Sequence, residues 1–567
     1  MGIPSYYKKL CDSVPGILTR DSVSTVESFW IDFNCLIYYC IRRPGTGLGD
    51  YTGEENRLIW EKELIKEVCI YTKQIVAKVN PSKIVYIAID GVVPMAKMRQ
   101  QRLRRFKSIW VSKEEIRCGK PDSPRWDTNS ITPGTVFMEM LSNELVKLCK
   151  AEEKRTGVSW ILSDEKQPGE GEQKIVSRIR EMKHTLTPEF PVILYGLDAD
   201  LIVLSLLLGT EIKQSISLFR EAIECGEIMR TDNVEEYRYL NISKLSEYIS
   251  NSLTSSDTNT RRYIVNYCMA MSLLGNDFLP HSISFNLKQG GHDTLLELLK
   301  DLISRDYWLI DDSVTCWNIK ALSEAFKWLA LKENGLVENG IRTKFRSRFH
   351  SRQSSTKKVE AWTADCEAWN KLPLTWFVES ALLESPITQD YKCALKLKSN
   401  WKQVYNEQFI GAYTPDDIQA ISSEYINGLQ WILDYYMSRY VNPEWMFSWA
   451  LPPTWDSLVV HTKYVESLIK NQTNETNEIN ENNENNKIKI KEHKSFIQPQ
   501  EQLAIVLPLE SYHLIRNSQL RKIPKKIPQF WPSSFEVHSL GRKMMWECEA
   551  KIPLLTPERL RFLLNRV

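Results

Sequence analysis

The sequence predicts an α/β fold on a mainly parallel central sheet flanked by helices, with a helical, aromatic-rich second region packed on it. Two observations lead there. Short apolar, β-branched runs without polar alternation recur through the N-terminal half, each followed by a helical stretch. Runs of that kind are strands buried on both faces, as in a parallel sheet covered by helices. Beyond them, residues 360–453 keep a helical period and are dense in Trp and Tyr.

Val26 to Asp32 reads as the first buried strand, and a Glu- and Lys-rich helix follows from about Glu55 to Val79. Lys83 to Ile89 is the second strand, Val158 to Leu162 the third and Val192 to Tyr195 the fourth. Helices then take over, from Arg261 to Leu274 and from Thr294 to Leu302, and Tyr425 to Tyr436 is a long amphipathic stretch. Between Asn471 and Lys494 the chain is Asn, Glu, Ile and Lys without useful period, which predicts a disordered insertion. Folded character resumes from Gln502 to Pro508.

The 567 residues suffice for more than one domain. The net charge is only +2, so any nucleic-acid surface must be local. No apolar run reaches the roughly 20 residues of a membrane helix, so no membrane partner is expected. The N-terminus has no signal-peptide pattern, and Tyr6 stands where a myristoylation motif wants Ser or Thr. Twelve cysteines without a CxxC pair fit inert thiols in a reducing compartment rather than zinc ligands. The expected location is the cytoplasm, with the nucleus as the alternative.

Acidic residues gather at predicted strand ends. Asp32 closes the first strand and Asp90 the second, while Asp198 and Asp200 follow the fourth. Glu170 and Glu172 lie in Pro168-Gly169-Glu170-Gly171-Glu172, and Asp277 ends a helix in Gly275-Asn276-Asp277. Ligands of open parallel sheets bind beyond those ends. A single strand-end Asp usually caps the next helix, but seven acidic groups at one edge are hard to explain as caps. Like charges about 4 Å apart cost roughly 4 kcal/mol per pair at an effective dielectric near 20, so the set needs cations or protons. Mg²⁺ or Mn²⁺ suits an all-oxygen site, and two such ions can serve phosphodiester hydrolysis.

Directly after Asp90-Gly91 comes a basic segment. If residues 97–107 are helical, Lys97, Gln101, Arg104 and Arg105 share one face, and Leu103 and Phe106 anchor another. Such a cluster can surround a terminal phosphate. A solvated basic face is the ordinary meaning of a charge run. Here no acidic residue interrupts it, and it begins beside a candidate metal ligand.

Together these stretches resemble the XRN family of 5′→3′ exoribonucleases. The carriers are Asp32-Phe33-Asn34, Asp90-Gly91 with Lys97, Gln101, Arg104 and Arg105, and Pro168 to Glu172. Leu197 to Ile202 and Leu274 to His281 complete the set, and the opening Met1-Gly2-Ile3-Pro4 is similar too. Gly428 to Trp431, Glu501 to Leu503, Val506 to Pro508, Trp546-Glu547 and Ile552 to Leu554 resemble the family's second conserved region.

The resemblance implies a processive enzyme of RNA degradation. Its substrate would be single-stranded RNA with a 5′-monophosphate, held by Lys97, Gln101, Arg104 and Arg105. Two Mg²⁺ or Mn²⁺ ions would sit on Asp32, Asp90, Glu170, Glu172, Asp198, Asp200 and Asp277, and nucleoside 5′-monophosphates would be released. Decapping or RNA-decay proteins are possible partners. The resemblance also implies a catalytic α/β region over 1–345, a helical wall over 346–470, the insertion over 471–495 and the rest of the second region over 496–567. Where the family usually has His, this chain has Tyr38, whose ring can also stack on a base; Trp445 is the candidate for the opposite stack. A long C-terminal extension is expected to be lacking. Two competing readings are a flap-type DNA nuclease and a catalytically inert RNA-binding scaffold.

Overall fold

The computed structural model describes residues 6–20, 25–43, 47–196, 198–224, 227–231, 234–254, 259–350, 361–385, 395–476 and 497–565. Its centre is a seven-stranded sheet. In chain order the strands are β1 (Leu18–Thr19), β2 (Ser28–Asp32), β3 (Ile84–Ala88), β4 (Ser159–Ser163), β5 (Val192–Tyr195), β6 (Ile216–Glu221) and β7 (Tyr237–Asn241). Across the sheet they run β1-β7-β6-β5-β2-β3-β4. The pairs from β6 through β4 are parallel, whereas β7 and β1 add an antiparallel edge.

The unalternating strands serve two cores at once. Trp30, Tyr86 and Leu194 enter one apolar cluster, while Phe29, Ile31, Val85, Ile87 and Ile193 enter the other. Period-two geometry sends successive side chains to opposite faces, so a strand covered on both sides must be apolar throughout. Register aligns the carboxyl ends in one row: Asp32 opposite Ala88, and Ala88 opposite Ser163. The chain adds β3 and β4 on one side of β2, then returns to place β5 on the other. That reversal puts the crevice of an open sheet beside β2.

The four expected parallel strands form within a residue or two of the expected bounds. The antiparallel edge carries mixed polar and apolar sequence, and the sequence reading does not anticipate it. The helix expected from Arg261 to Leu274 is an α-helix over Thr260–Ala270 closed by a 3₁₀ turn, Met271–Leu274. The helix Ile319–His350 runs across the expected boundary at 345/346. The helix Trp455–Thr476 continues past the expected start of the insertion at 471, and residues 477–496 lie outside the described residues.

The C-terminal segment shares its core with the basic helix Met95–Arg117: Met95, Met98, Leu103 and Phe106 pack with Leu503, Ile505, Ile523, Phe530 and Leu560. Arg102 pins this junction. Its buried guanidinium donates to the carbonyls of Ile505 (2.6 Å), Pro553 (3.2 Å) and Phe530, and lies over the Phe106 ring. Among the described residues no helix is long and apolar enough to cross a membrane.

Candidate active site

Asp32 stands at the N-cap of the helix Phe33–Arg42, and Glu170 at that of Gly171–Met182, yet neither side chain makes a capping hydrogen bond. The ordinary structural reason for an acid at a strand end is therefore missing at both. Asp90 is held from two sides. Its Oδ1 accepts from the Gly171 amide at 2.7 Å, and its Oδ2 accepts from Asn34 Nδ2 at 3.0 Å.

Glycines let the backbone close in. A Cβ on Gly171 would lie 2.6 Å from Asp32 Oδ1. One on Gly91 would lie 1.8 Å from the Gln167 carbonyl, where paired amides lock Gly91 to Gly169 (2.9 Å) and Gly169 to Val92 (2.8 Å). Any side chain at Gly91 would wedge apart the loops that carry Asp90 and Glu170.

The seven acids share one electrostatic environment. Burial, then Asp90, Asp198 and Glu170, push the Asp32 carboxyl well above its usual range. Burial with Glu170 and Asp200 does the same to Glu172. Burial and Asp277 raise Asp200 to about 7, and burial raises Asp90 to about 6 against the pull of the Gly171 amide. Asp277 moves the other way: burial opposes ionisation, but the Lys97 ammonium outweighs it.

The sequence groups Lys97 with Gln101, Arg104 and Arg105. In the structure its Nζ lies 2.5 Å from Glu170 Oε2 and 2.8 Å from Asp277 Oδ2. Its place in the first turn, straight after the Asp90 loop, brings it to the acids. Gln101 and Arg105 come one and two turns later and are buried, with Arg105 Nη1 lacking any hydrogen-bond partner. Arg104 is half-buried between these groups and solvent. Burial lowers the Arg105 guanidinium to about 10, and the neighbouring Tyr38 phenol opposes that shift. Tyr38 thus stands beside the basic cluster. Trp445 stacks on Trp431, with ring centroids 5.1 Å apart, and Trp431 stacks on Tyr435 at 4.9 Å.

Two residues outside the expected set complete the site. The Tyr435 hydroxyl donates to Glu170 Oε1 at 2.7 Å. Tyr436 is buried beside Asp200, Glu172 and Asp277, whose charges add to burial in holding its phenol protonated. Both come from the helix Pro415–Tyr436, whose amphipathic period is plain in the sequence. Periodicity marks a buried face but does not say that the face meets acids some 250 residues earlier.

Among the described residues no three His, Cys, Asp or Glu groups are gathered tightly enough around one point to hold an ion. The donor chemistry nevertheless fits a hard divalent cation. Glu172 Oε2 and Asp200 Oδ1 are buried oxygens without hydrogen-bond partners, and all seven candidate donors are carboxylates.

Residues 1–222 match the family model described as XRN 5'-3' exonuclease N-terminus. The chain is 26% identical to 5'-3' exoribonuclease 2 of Arabidopsis thaliana, an alignment covering 86% of this chain and 58% of that protein. It is 25% identical to 5'-3' exoribonuclease 1 of Homo sapiens, over 99% of this chain and 34% of that one. With 5'-3' exoribonuclease 1 of Saccharomyces cerevisiae it shares 31% identity over 53% of its length and 21% of the relative's. The chain therefore spans less than two thirds of the length of these relatives. Its acid-lined sheet edge, its basic helix and these matches agree: residues 1–222 carry the XRN 5'-3' exonuclease N-terminus pattern, and the chain is similar to 5'-3' exoribonucleases over most of its length.

Proposed function

We propose that the protein is a metal-dependent 5′→3′ exoribonuclease that shortens 5′-monophosphorylated single-stranded RNA processively, one nucleoside 5′-monophosphate at a time. The observation that carries this reading is one helix serving two chemistries. Its first turn reaches the buried acids through Lys97, and its next two turns carry Gln101 and a buried, unpartnered Arg105 donor. At 1.5 Å rise per residue, the phosphate cluster lies about 6–12 Å further along the axis, within a nucleotide or two of the acids. The relatives' names point to the same activity.

Each group then has a task. Gln101, Arg104 and Arg105 grip the 5′-phosphate by charge-assisted hydrogen bonds. Burial of Arg105 strengthens that grip and favours a single phosphate over a bulkier end. Tyr38, beside Arg105, stacks on the first base, and Trp445, backed by Trp431, stands opposite. Asp32, Asp90, Glu170, Glu172, Asp198, Asp200 and Asp277 would hold Mg²⁺ or Mn²⁺, two ions in number. When bound, such ions supply the charge that activates a water and stabilises the leaving oxygen. Tyr435 fixes one oxygen of Glu170, and Lys97 holds the other.

The test is one RNA prepared with monophosphate, triphosphate and hydroxyl 5′ ends, incubated with and without Mg²⁺. Mononucleotide release from the monophosphate form alone, and only with the cation, is the expected result. Faster cleavage of a DNA flap would favour the flap-type reading. Binding without release would favour an inert scaffold.

A further inference from the structure

Trp546 is 54% exposed, unusual for a Trp whose backbone is so firmly held. Its amide donates to Asn370 Oδ1 at 3.3 Å, and its carbonyl accepts from Lys107 Nζ at 2.8 Å. Lys107 also reaches the Cys548 carbonyl at 2.7 Å. It lies on the basic helix, one turn beyond Arg104, and Arg104 and Arg542 both act on it as neighbouring like charges. Lys288 Nζ sits 4.4 Å from the Trp546 ring centroid. Arg542 meets Nε2 of His281, a ring that burial and that same arginine keep neutral. Lys543 stands next in the chain, its Nζ on Ser347.

Lys288 thus faces the exposed indole, Lys107 holds its backbone carbonyl, and Arg542 stands near Lys107. The carboxylates nearby include Glu547, which pairs with Lys288 at 2.7 Å, Glu549, and Glu379, which pairs with Lys344 and accepts from the Gly541 amide. No protein carboxylate is paired with Lys107 or Arg542 among the described ion pairs. A rigid, half-exposed aromatic ring edged by surplus positive charge is the arrangement that binds single strands: bases stack, and phosphates meet the cations.

We propose that Trp546, with Lys107, Lys288 and Arg542, is a second contact for the RNA strand. One base stacks on the indole, and the adjoining phosphates lie on the three cations. The contact rests on the exoribonuclease reading for the identity of its ligand. It is separate from the 5′-phosphate cluster, and Lys107 links the two along the basic helix.

The test is equilibrium binding of 5′-phosphorylated single-stranded RNA, a dodecamer against a dinucleotide, with Ca²⁺ in place of Mg²⁺ to prevent turnover. One stacked base is worth about 5- to 150-fold in affinity. In W546A the ratio of dodecamer to dinucleotide affinity is expected to fall by that factor. W546F restores most of it, and K288A lowers the salt dependence of dodecamer binding. Thermal melting of each variant checks the fold. A ratio unchanged in W546A overturns the platform. If the wild-type protein releases no mononucleotide yet W546A still loses dodecamer affinity, the platform stands and the exoribonuclease reading falls.

Discussion

The Tyr435 hydroxyl donates to Glu170 Oε1 at 2.7 Å, across 265 positions of sequence. Burial and the Glu170 charge hold that phenol protonated, so it is a fixed donor. It is a direct link between the helical region and the acid-lined sheet edge. A hydrogen bond to a charged group contributes about 1.5–3 kcal/mol. Tyr435→Phe is therefore expected to weaken Mg²⁺ binding by about tenfold or more, with the fold retained. Titration of the cation by calorimetry and by turnover checks it; identical Mg²⁺ curves would leave Tyr435 a packing residue only.

Asp200 keeps one buried oxygen unpartnered, so its carboxylate is available to a cation. Asp200→Asn preserves shape and removes charge. Turnover is expected to drop roughly 100-fold or more while RNA affinity changes little. Single-turnover cleavage and filter binding on the same preparation measure both.

Arg104 is half-buried on the basic helix beside Arg105. Losing one charge-assisted bond to a terminal phosphate costs about 1.5–3 kcal/mol. Arg104→Ala is expected to cut the preference for a 5′-phosphate over a 5′-hydroxyl by about tenfold. Competition between the two RNAs reads this directly, and an unaltered preference would move the pocket elsewhere.

Arg102 plays no part in that preference, although it lies in the same basic run. Its three carbonyl partners belong to the C-terminal segment. Arg102→Met leaves those acceptors buried and unpaired, a loss of about 3 kcal/mol or more. Denaturant unfolding and protease cleavage within residues 497–565 are the measurements.

Acid is expected to destabilise the protein through histidines buried in the neutral form. Burial lowers His281 to about 3, and His292 and His538 to about 4, from an ordinary 6.5. A depressed folded value means stability is complete above pH 6.5 and is lost as pH falls towards 4. Each of the latter two contributes about 2 kcal/mol of that loss at pH 5. Unfolding midpoints at pH 7.5 and 5 measure it, and His292→Phe is expected to lessen the difference.

The parallel strands and the strand-end acids were legible because burial on two faces leaves an unbroken apolar run with its acid at the end. The basic helix was legible as a charge run, but its division of labour was not. Periodicity places Lys97 on the face of Gln101 and Arg105, and only the loop geometry at Gly91 and Gly169 shows that its first turn meets Glu170 and Asp277. Arg99 and Arg102 belong to the same basic run. The structure turns them to backbone carbonyls, of Trp449 for Arg99, because a distant segment covers that side of the helix. Tyr435 lay in a recognised helix, but its partner is set by tertiary packing alone.

The row of acids begins at residue 32 and its last tyrosine support arrives at residue 435. A chain still emerging from the ribosome therefore carries every acid long before it carries the phenol that steadies Glu170. Until that late helix docks, the acids of the growing polypeptide wait without the hydroxyl that steadies Glu170.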